Sequence, residues 1–290
     1  MDPVRSAMDE FQNVFGEKPE ARGCAPGRVE VLGNHTDYNE GFILSAAIDR
    51  YIVVCGRSVA GHTAPINSRT FNAGESFDVR APVKTQANFW ANYVAGVVDQ
   101  LRQAGVRVGG FEALLMGNVP LGAGLSSSAA LEVATALLLQ KLFPYDMDRV
   151  RIALACQAAE NRFVGVNCGI LDQFSSMMGR KDHLIFLDCR DLAKHDQIPL
   201  GADVRLVLAH TNAHHELADG IYNRLREDCF AAARHLAQVL KGRRVTHLRD
   251  VTREEFERHG AGLPEAIRKR ARHIVTENER VLEGVEALRR

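Results

Sequence analysis

Two stretches carry residues whose types and spacing could do chemistry. In NVPLGAGLSSSAALEVA, residues 118–134, two glycines and three serines precede an alanine- and leucine-rich run. Gly122 and Gly124 allow positive φ and let the backbone come close to a ligand. Ser126, Ser127 and Ser128 can cap the following helix and donate hydroxyls. That helix's first turn has free N–H groups and the positive dipole end, which suit an anion, phosphate being the obvious one. The loop is no Walker A motif, because G-x-x-x-x-G-K-[ST] does not occur. It matches a Rossmann turn in part: Ser stands at the third glycine and Pro120 interrupts the approach, yet Asp146 and Asp148 lie about twenty residues on. A capped core helix after a turn explains the loop about equally well. The second stretch is GRVEVLGNHTDYNEGF, residues 27–42. A short apolar run (Val29, Val31, Leu32) ends at Gly33, and Asn34, His35, Thr36, Asp37, Tyr38 and Asn39 follow without a break.

Elsewhere the chemistry is weaker. His210, His214, His215 and Glu216 in HTNAHHE offer zinc-type ligands. The spacing is not a standard zinc pattern, and neighbouring helical positions point about a quarter-turn apart, so a solvated helix start is the better reading. Six scattered cysteines without a C-x-x-C pair read as reduced thiols and place the chain in the cytoplasm. Thirty-six basic and 36 acidic residues cancel, which argues against a nucleic-acid or membrane-surface partner. No apolar run approaches the ~20 residues of a membrane span. The N-terminus has acids and no apolar core of a secretory signal.

Elements that would position these residues can be read from periodicity. Residues 5–16 form a short helix with Val4, Met8, Phe11 and Phe15 at helical spacing. RVEVLG and AAIDRYIVVCGRSV are strands around the polar loop; ESFDVRA, GGFEALLMGNVP and HLIFLDC are further strands. Helices are expected in ANFWANYVAGVVDQLRQAG, after the glycine loop, in MDRVRIALACQAAENRFVG and in GILDQFSSMMGR. A boundary falls near Pro199–Ala202. Beyond it DVRLVLAH is a strand and HHELADGIYNRLREDCFAAARHLAQVLKG a long helix in a charged, helical C-terminal part. Strands mixed with helices in both halves give an α+β or α/β protein.

Together the two stretches resemble one family. GRVEVLGNHTDYNEG is similar to the galactokinase signature. PLGAGLSSSAALEVA is similar to the ATP-phosphate loop of the small-molecule kinases for galactose, homoserine, mevalonate and phosphomevalonate. FWANYVAGV, CQAAENRFVGVNCGILDQFSSMMGRKDHLIFLDC and TNAHHELADGIYNRLREDC follow in the family order, so the likeness runs from about residue 8 to 290. It implies a two-lobed α+β fold: a mixed-sheet ATP- and sugar-binding domain (1–200), then an incomplete ferredoxin-like α+β domain (201–290). It also implies ATP and Mg²⁺ as cofactors, a small-molecule sugar as partner, and a monomer or weak homo-oligomer.

Carried over by position, the resemblance implies these roles. Asp172 would orient the anomeric hydroxyl or take its proton, and Arg28 would pair with Asp172 and face the transferring phosphoryl group. Ser128 and Glu160 would ligate magnesium. Gly122, Gly124, Ser126 and Ser127 would cradle the phosphates. Asn34, His35, Asp37, Gly169 and Tyr222 would contact the sugar, and Trp90 and Tyr93 would lie near adenine. The residue types suit phosphoryl transfer, which needs in-line positioning and charge compensation. An aspartate beside an arginine is a weak base, which favours orientation with late proton acceptance. Each residue also has a bland reading: Asp172 as a first-turn acid, Glu160 as an exposed helix acid, Arg28 as a surface ion pair, His35 as a satisfied loop histidine, Tyr222 and Trp90 as packing.

Departures from the family leave alternatives open. Asn34 stands where galactokinases have a glutamate facing the sugar's hydroxymethyl end. Exchanging a charged for a neutral hydrogen bond weakens galactose by about tenfold, and losing the acid would favour a C6-modified galactose such as galacturonate. A third, GGGFGG-like loop is not found; HGAGLP is too short and out of place. Strands that would complete the second domain are also absent, so a shortened chain with an exposed sheet edge is expected. A regulatory protein that binds ATP and sugar with little turnover therefore remains open, and a Rossmann dehydrogenase is a third reading.

Overall fold

A computed structural model describes residues 3–201, 203–209 and 220–290. The HTNAHHE histidines and Glu216 lie outside them. The described chain divides into two units, and the division is discontinuous, unlike the single expected cut after residue 200. One unit comprises the chain to Val29, Ala47–Asn167 and Asp172–Met178; the other comprises Glu30–Ala46, Cys168–Leu171 and Gly179–Arg290.

In the first unit, helix α1 (Pro3–Phe15) precedes β1 (Ala21–Leu32) and β2 (Phe42–Ser58), both of which continue across the unit boundary. The helical spacing of Ala7 and Phe11 buries both against Val53, Cys55 and Leu114. Strands β3 (Thr63–Ser68) and β4 (Ala73–Asp78) form an antiparallel hairpin. Helix α2 (Ala91–Gln103) then leads to β5 (Phe111–Gly117) and stops at Gly105, φ +89°. β5 runs parallel to β3 and antiparallel to β2, with Val54 opposite Leu115. The long connection through α2 is what a parallel pair requires. Helix α3 (Ser127–Leu142) is buried nearly all round and packs on α2 and on α4 (Arg149–Ala158). After α4 the chain widens into a π-helical turn, Ala159–Val164, before α5 (Leu171–Met178).

In the second unit, Phe42–Ser45 of β2 pair antiparallel with β6 (His183–Asp188), and β6 pairs with β7 (His195–Pro199). Helices α6 (Ile221–Val239), α7 (Arg253–His259) and α8 (Glu265–Arg289) enclose Leu236, Leu248, Phe256, Ile274 and Val275. Thr252 and Glu255 form a capping box that starts α7. HGAGLP is the turn between α7 and α8.

Several expectations need correction. The strand expected over 203–210 is absent from residues 203–209. Its apolar residues are exposed, Val207 by 88%, because no described strand pairs with them and an alternating run alone does not hold a ladder. The helix expected from residue 214 is described from Ile221, behind Gly220 at φ +65°. β3 and β7 were not foreseen, since TAPINS contains proline and HDQIP a single aliphatic residue. The Rossmann reading fails on β5, which is antiparallel to β2, and on Asp148, whose carboxylate accepts the Arg151 N–H to cap α4. None of the six cysteines forms a disulfide.

Candidate functional site

The first unit gathers Arg28, Gly124, Ser126 and Asp172. Arg28 sits on β1 behind Gly27, where a Cβ would press against the Leu125 carbonyl at 2.6 Å. Glycine there lets the loop lie on the strand, and the Arg28 N–H donates to the Leu125 carbonyl (3.2 Å). Arg28 Nε and Nη2 reach Asp172 Oδ1 at 2.8 and 2.6 Å, and Nη1 donates to the Gly124 carbonyl at 2.7 Å. One guanidinium thus ties the acid to the glycine loop, a task suited to a planar fork of donors.

Ser126 departs from its expected role. It is the residue before α3 and holds φ +55°, but its hydroxyl does not cap the helix. It donates to Asp172 Oδ2 at 2.6 Å instead. The first turn of α3, which holds Ser127 and Ser128, therefore receives no side-chain cap from Ser126 and keeps its anion-attracting N–H groups. Gly122 and Gly124 take φ +66° and +69°, and a Cβ at either would meet no atom within 4 Å. Their need is conformational, and the space above them is open.

Behind this loop lies a buried acid pair. Gln173 Nε2 donates to Glu132 Oε2 (3.0 Å) and to Glu160 Oε2 (2.7 Å). Glu132 is fully buried and Glu160 nearly so. Burial, then the charge of Glu160, push the Glu132 carboxyl well up, with Asp172 adding to the effect and the Gln173 hydrogen bond opposing it. Glu160 is thus no exposed helix acid; it sits on the π-helical turn, closed by Gly165 at φ +101°. Glu132 and Gln173 were missed. The available signal was a single acid inside an otherwise apolar helix. The hydroxyl of Ser128 and the carboxylate of Glu160 are hard oxygen donors of the kind magnesium takes. Among the described residues no three His, Cys, Asp or Glu side chains form a group that could hold a metal ion.

Trp90 and Tyr93 are buried at the start of α2, each 6% exposed. Trp90 stacks on the exposed ring of Phe71 at 6.0 Å, and its indole N–H has no acceptor among the described residues. Tyr93 meets Phe89 edge-on.

The second unit holds the other predicted residues. Thr36, Tyr38 and Asn39 are buried and brace the polar loop: Thr36 Oγ1 donates to the Gly33 carbonyl, and Asn39 Nδ2 to the His35 carbonyl. Asp37 Oδ1 accepts the Tyr38 N–H (2.9 Å) and Oδ2 the Leu171 N–H (3.4 Å). A Cβ at Gly169 would collide with the Asp37 carboxylate, so glycine is required for that approach. His35, at φ +64°, hydrogen-bonds through Nδ1 to the Tyr38 hydroxyl (2.9 Å). Tyr222 completes a triangle of rings, 5.4 Å from His35 and 5.5 Å from Tyr38. Burial, then the neighbouring His273, lower the His35 pKa from the ordinary imidazole value. Asn34 is exposed and donates to Glu30 Oε2 at 2.8 Å.

Comparisons with known proteins identify the family and the fold. The model for the N-terminal domain of GHMP kinases matches residues 92–180, and that for the galactokinase galactose-binding signature matches residues 9–58. A galactokinase of Roseiflexus sp. (strain RS-1) is 41% identical over 97% of this chain and 71% of its own. The structure of Lactococcus lactis galactokinase complexed with galactose superposes with a TM-score of 0.87 at 30% identity, covering 98% of this chain and 74% of that one. Methanococcus jannaschii mevalonate kinase, at 14% identity and TM-score 0.51, covers 92% of this chain and 79% of its own, and shares the fold.

Proposed function

The chain belongs to the galactokinase family of ATP-dependent sugar kinases, and we propose that it transfers the γ-phosphoryl group of ATP to the anomeric hydroxyl of galactose. The observation that carries this reading is the convergence of Arg28, Ser126 and the Gly124 carbonyl around Asp172. An acid, a fixed cation and a glycine loop at a helix N-terminus are what positioning and charge compensation of a phosphoryl group call for.

Asp172 orients the attacking hydroxyl and accepts its proton late. With Arg28 on one oxygen and the Ser126 hydroxyl on the other, its carboxylate is held in a fixed direction. Arg28 faces the charge that develops on the transferred group. Gly122, Gly124, Ser127, the loop backbone at Ser126 and the first N–H groups of α3 hold the phosphates, and Trp90 and Tyr93 support the adenine. Ser128 and Glu160 would hold magnesium, which when bound offsets phosphate charge; Gln173 fixes the direction of Glu160. Asn34, His35, Asp37, Gly169 and Tyr222 contact the sugar's other hydroxyls. Six cysteines outside any disulfide support a cytoplasmic setting. Among the described residues no helix is long and apolar enough to cross a membrane.

The test is ADP release with a panel of sugars, using Asp172→Asn as the blank. Galactose-dependent ADP release that falls at least ~100-fold in the variant supports the reading. Thermal stabilisation by galactose and ATP with no ADP release would replace it with a sugar-responsive binding protein.

A further inference from the structure

Asn34 lacks the charge that the family resemblance calls for at its position, but a carboxylate is bound to its side chain. Asn34 Nδ2 donates to Glu30 Oε2 at 2.8 Å. Glu30 lies four residues back on β1, on the other side of the Gly33 corner. That corner is clamped. Gly33 holds φ +105°, and its N–H donates to Glu277 Oε1 at 2.7 Å. A Cβ there would meet the Phe42 carbonyl at 2.6 Å. His273 Nε2 bonds the Asn34 carbonyl at 2.8 Å. With its backbone pinned and its amide committed, Asn34 holds the Glu30 carboxylate in a set direction.

We propose that Glu30, held by Asn34, is the substrate-binding carboxylate for the hydroxymethyl end of galactose. The proposal rests on the galactokinase reading given above. An ionised carboxylate only accepts hydrogen bonds, so it favours a primary hydroxyl, which donates. A uronate at the same carbon would place like charges together. The acid is thus displaced along the chain rather than lost, and the expected tolerance of galacturonate reverses into discrimination against it.

The test compares kcat/KM for galactose, 6-deoxygalactose and galacturonate in the wild type, Glu30→Gln, Asn34→Ala and the exchange variant Glu30→Gln/Asn34→Glu, with melting temperature and KM for ATP as folding controls. Glu30→Gln should lower galactose by about tenfold and 6-deoxygalactose by less than about twofold, as expected for losing a charged hydrogen bond. The exchange variant should recover most of the preference for galactose. If Glu30→Gln fails to fold, Asn34→Ala reads the same ratio, since it frees the carboxylate. A galactose to 6-deoxygalactose ratio within about twofold of wild type overturns the Glu30 assignment alone. If the wild type releases no ADP with galactose, the kinase reading falls instead. Glu30 is then judged by calorimetric binding of the same sugars, where the same unchanged ratio overturns it.

Discussion

Arg28 commits three of its donor atoms to Asp172 and the Gly124 carbonyl. Lysine keeps the charge but has no fork to hold both. Arg28→Lys is expected to lower kcat by about 100-fold while KM for galactose moves less than about threefold; steady-state kinetics decides. A drop confined to KM would mean that Arg28 binds sugar instead of serving transfer. Tyr38 is buried, and burial raises its hydroxyl pKa, so it stays a neutral partner of His35. Tyr38→Phe removes that bond and frees the imidazole to turn. Galactose KM should rise about fivefold, a neutral hydrogen bond's worth, with the ATP KM unchanged. The sequence presented Asn34 to Asn39 as one polar row. Burial divides it, with Thr36, Tyr38 and Asn39 bracing the loop and Asn34, His35 and Asp37 left partly accessible. A string of polar letters does not reveal which of them the fold will bury.

Among the elements, α3 shows best how context overrides a local rule. A serine before an apolar helix reads as an N-cap, yet Ser126 gives its hydroxyl to Asp172, 46 residues away. The same helix carries Glu132 into the interior, where its pKa is raised. The sign follows from linkage. A raised folded pKa leaves stability intact below the ordinary carboxylate range and removes it as pH climbs towards the folded value. Glu132→Gln keeps the shape and an acceptor for Gln173. It should therefore stabilise the protein at pH 8 by about 1–3 kcal/mol, and the gain should vanish near pH 4. Urea melts at several pH values measure this, and a pH-independent difference would refute it. The π-helical turn bearing Glu160 had no signature in its residues; it read as plain continuation of α4. β3 and β7 were illegible for the opposite reason, since their pairing with β5 and β6 supplies what their composition lacks.

At the scale of the molecule, the second unit shows how stability will depend on acid. Burial works to raise the Asp250 carboxyl, but the N–H groups of Thr246 and His247, then Arg190 and the Thr246 hydroxyl, outweigh it and bring it to about 2. A depressed folded pKa contributes stability that is present above the ordinary value and lost as pH falls towards about 2. Asp250→Asn should cost about 2 kcal/mol at pH 7, and the cost should disappear near pH 2. A penalty that persists in acid would place the effect in packing. Much about this protein was determined by sequence alone: the glycine-serine loop, the helical and strand periods, and the matches in order that marked the family. These are local patterns, set by backbone freedom and side-chain period, and they survive without coordinates. Tertiary structure alone decided the discontinuous division into units, the diversion of Ser126, the Glu132–Gln173–Glu160 cluster and the bond from Asn34 to Glu30. Each depends on where burial takes a polar group and on which partner it then meets, and a buried donor or acceptor must be satisfied by whatever the fold brings beside it.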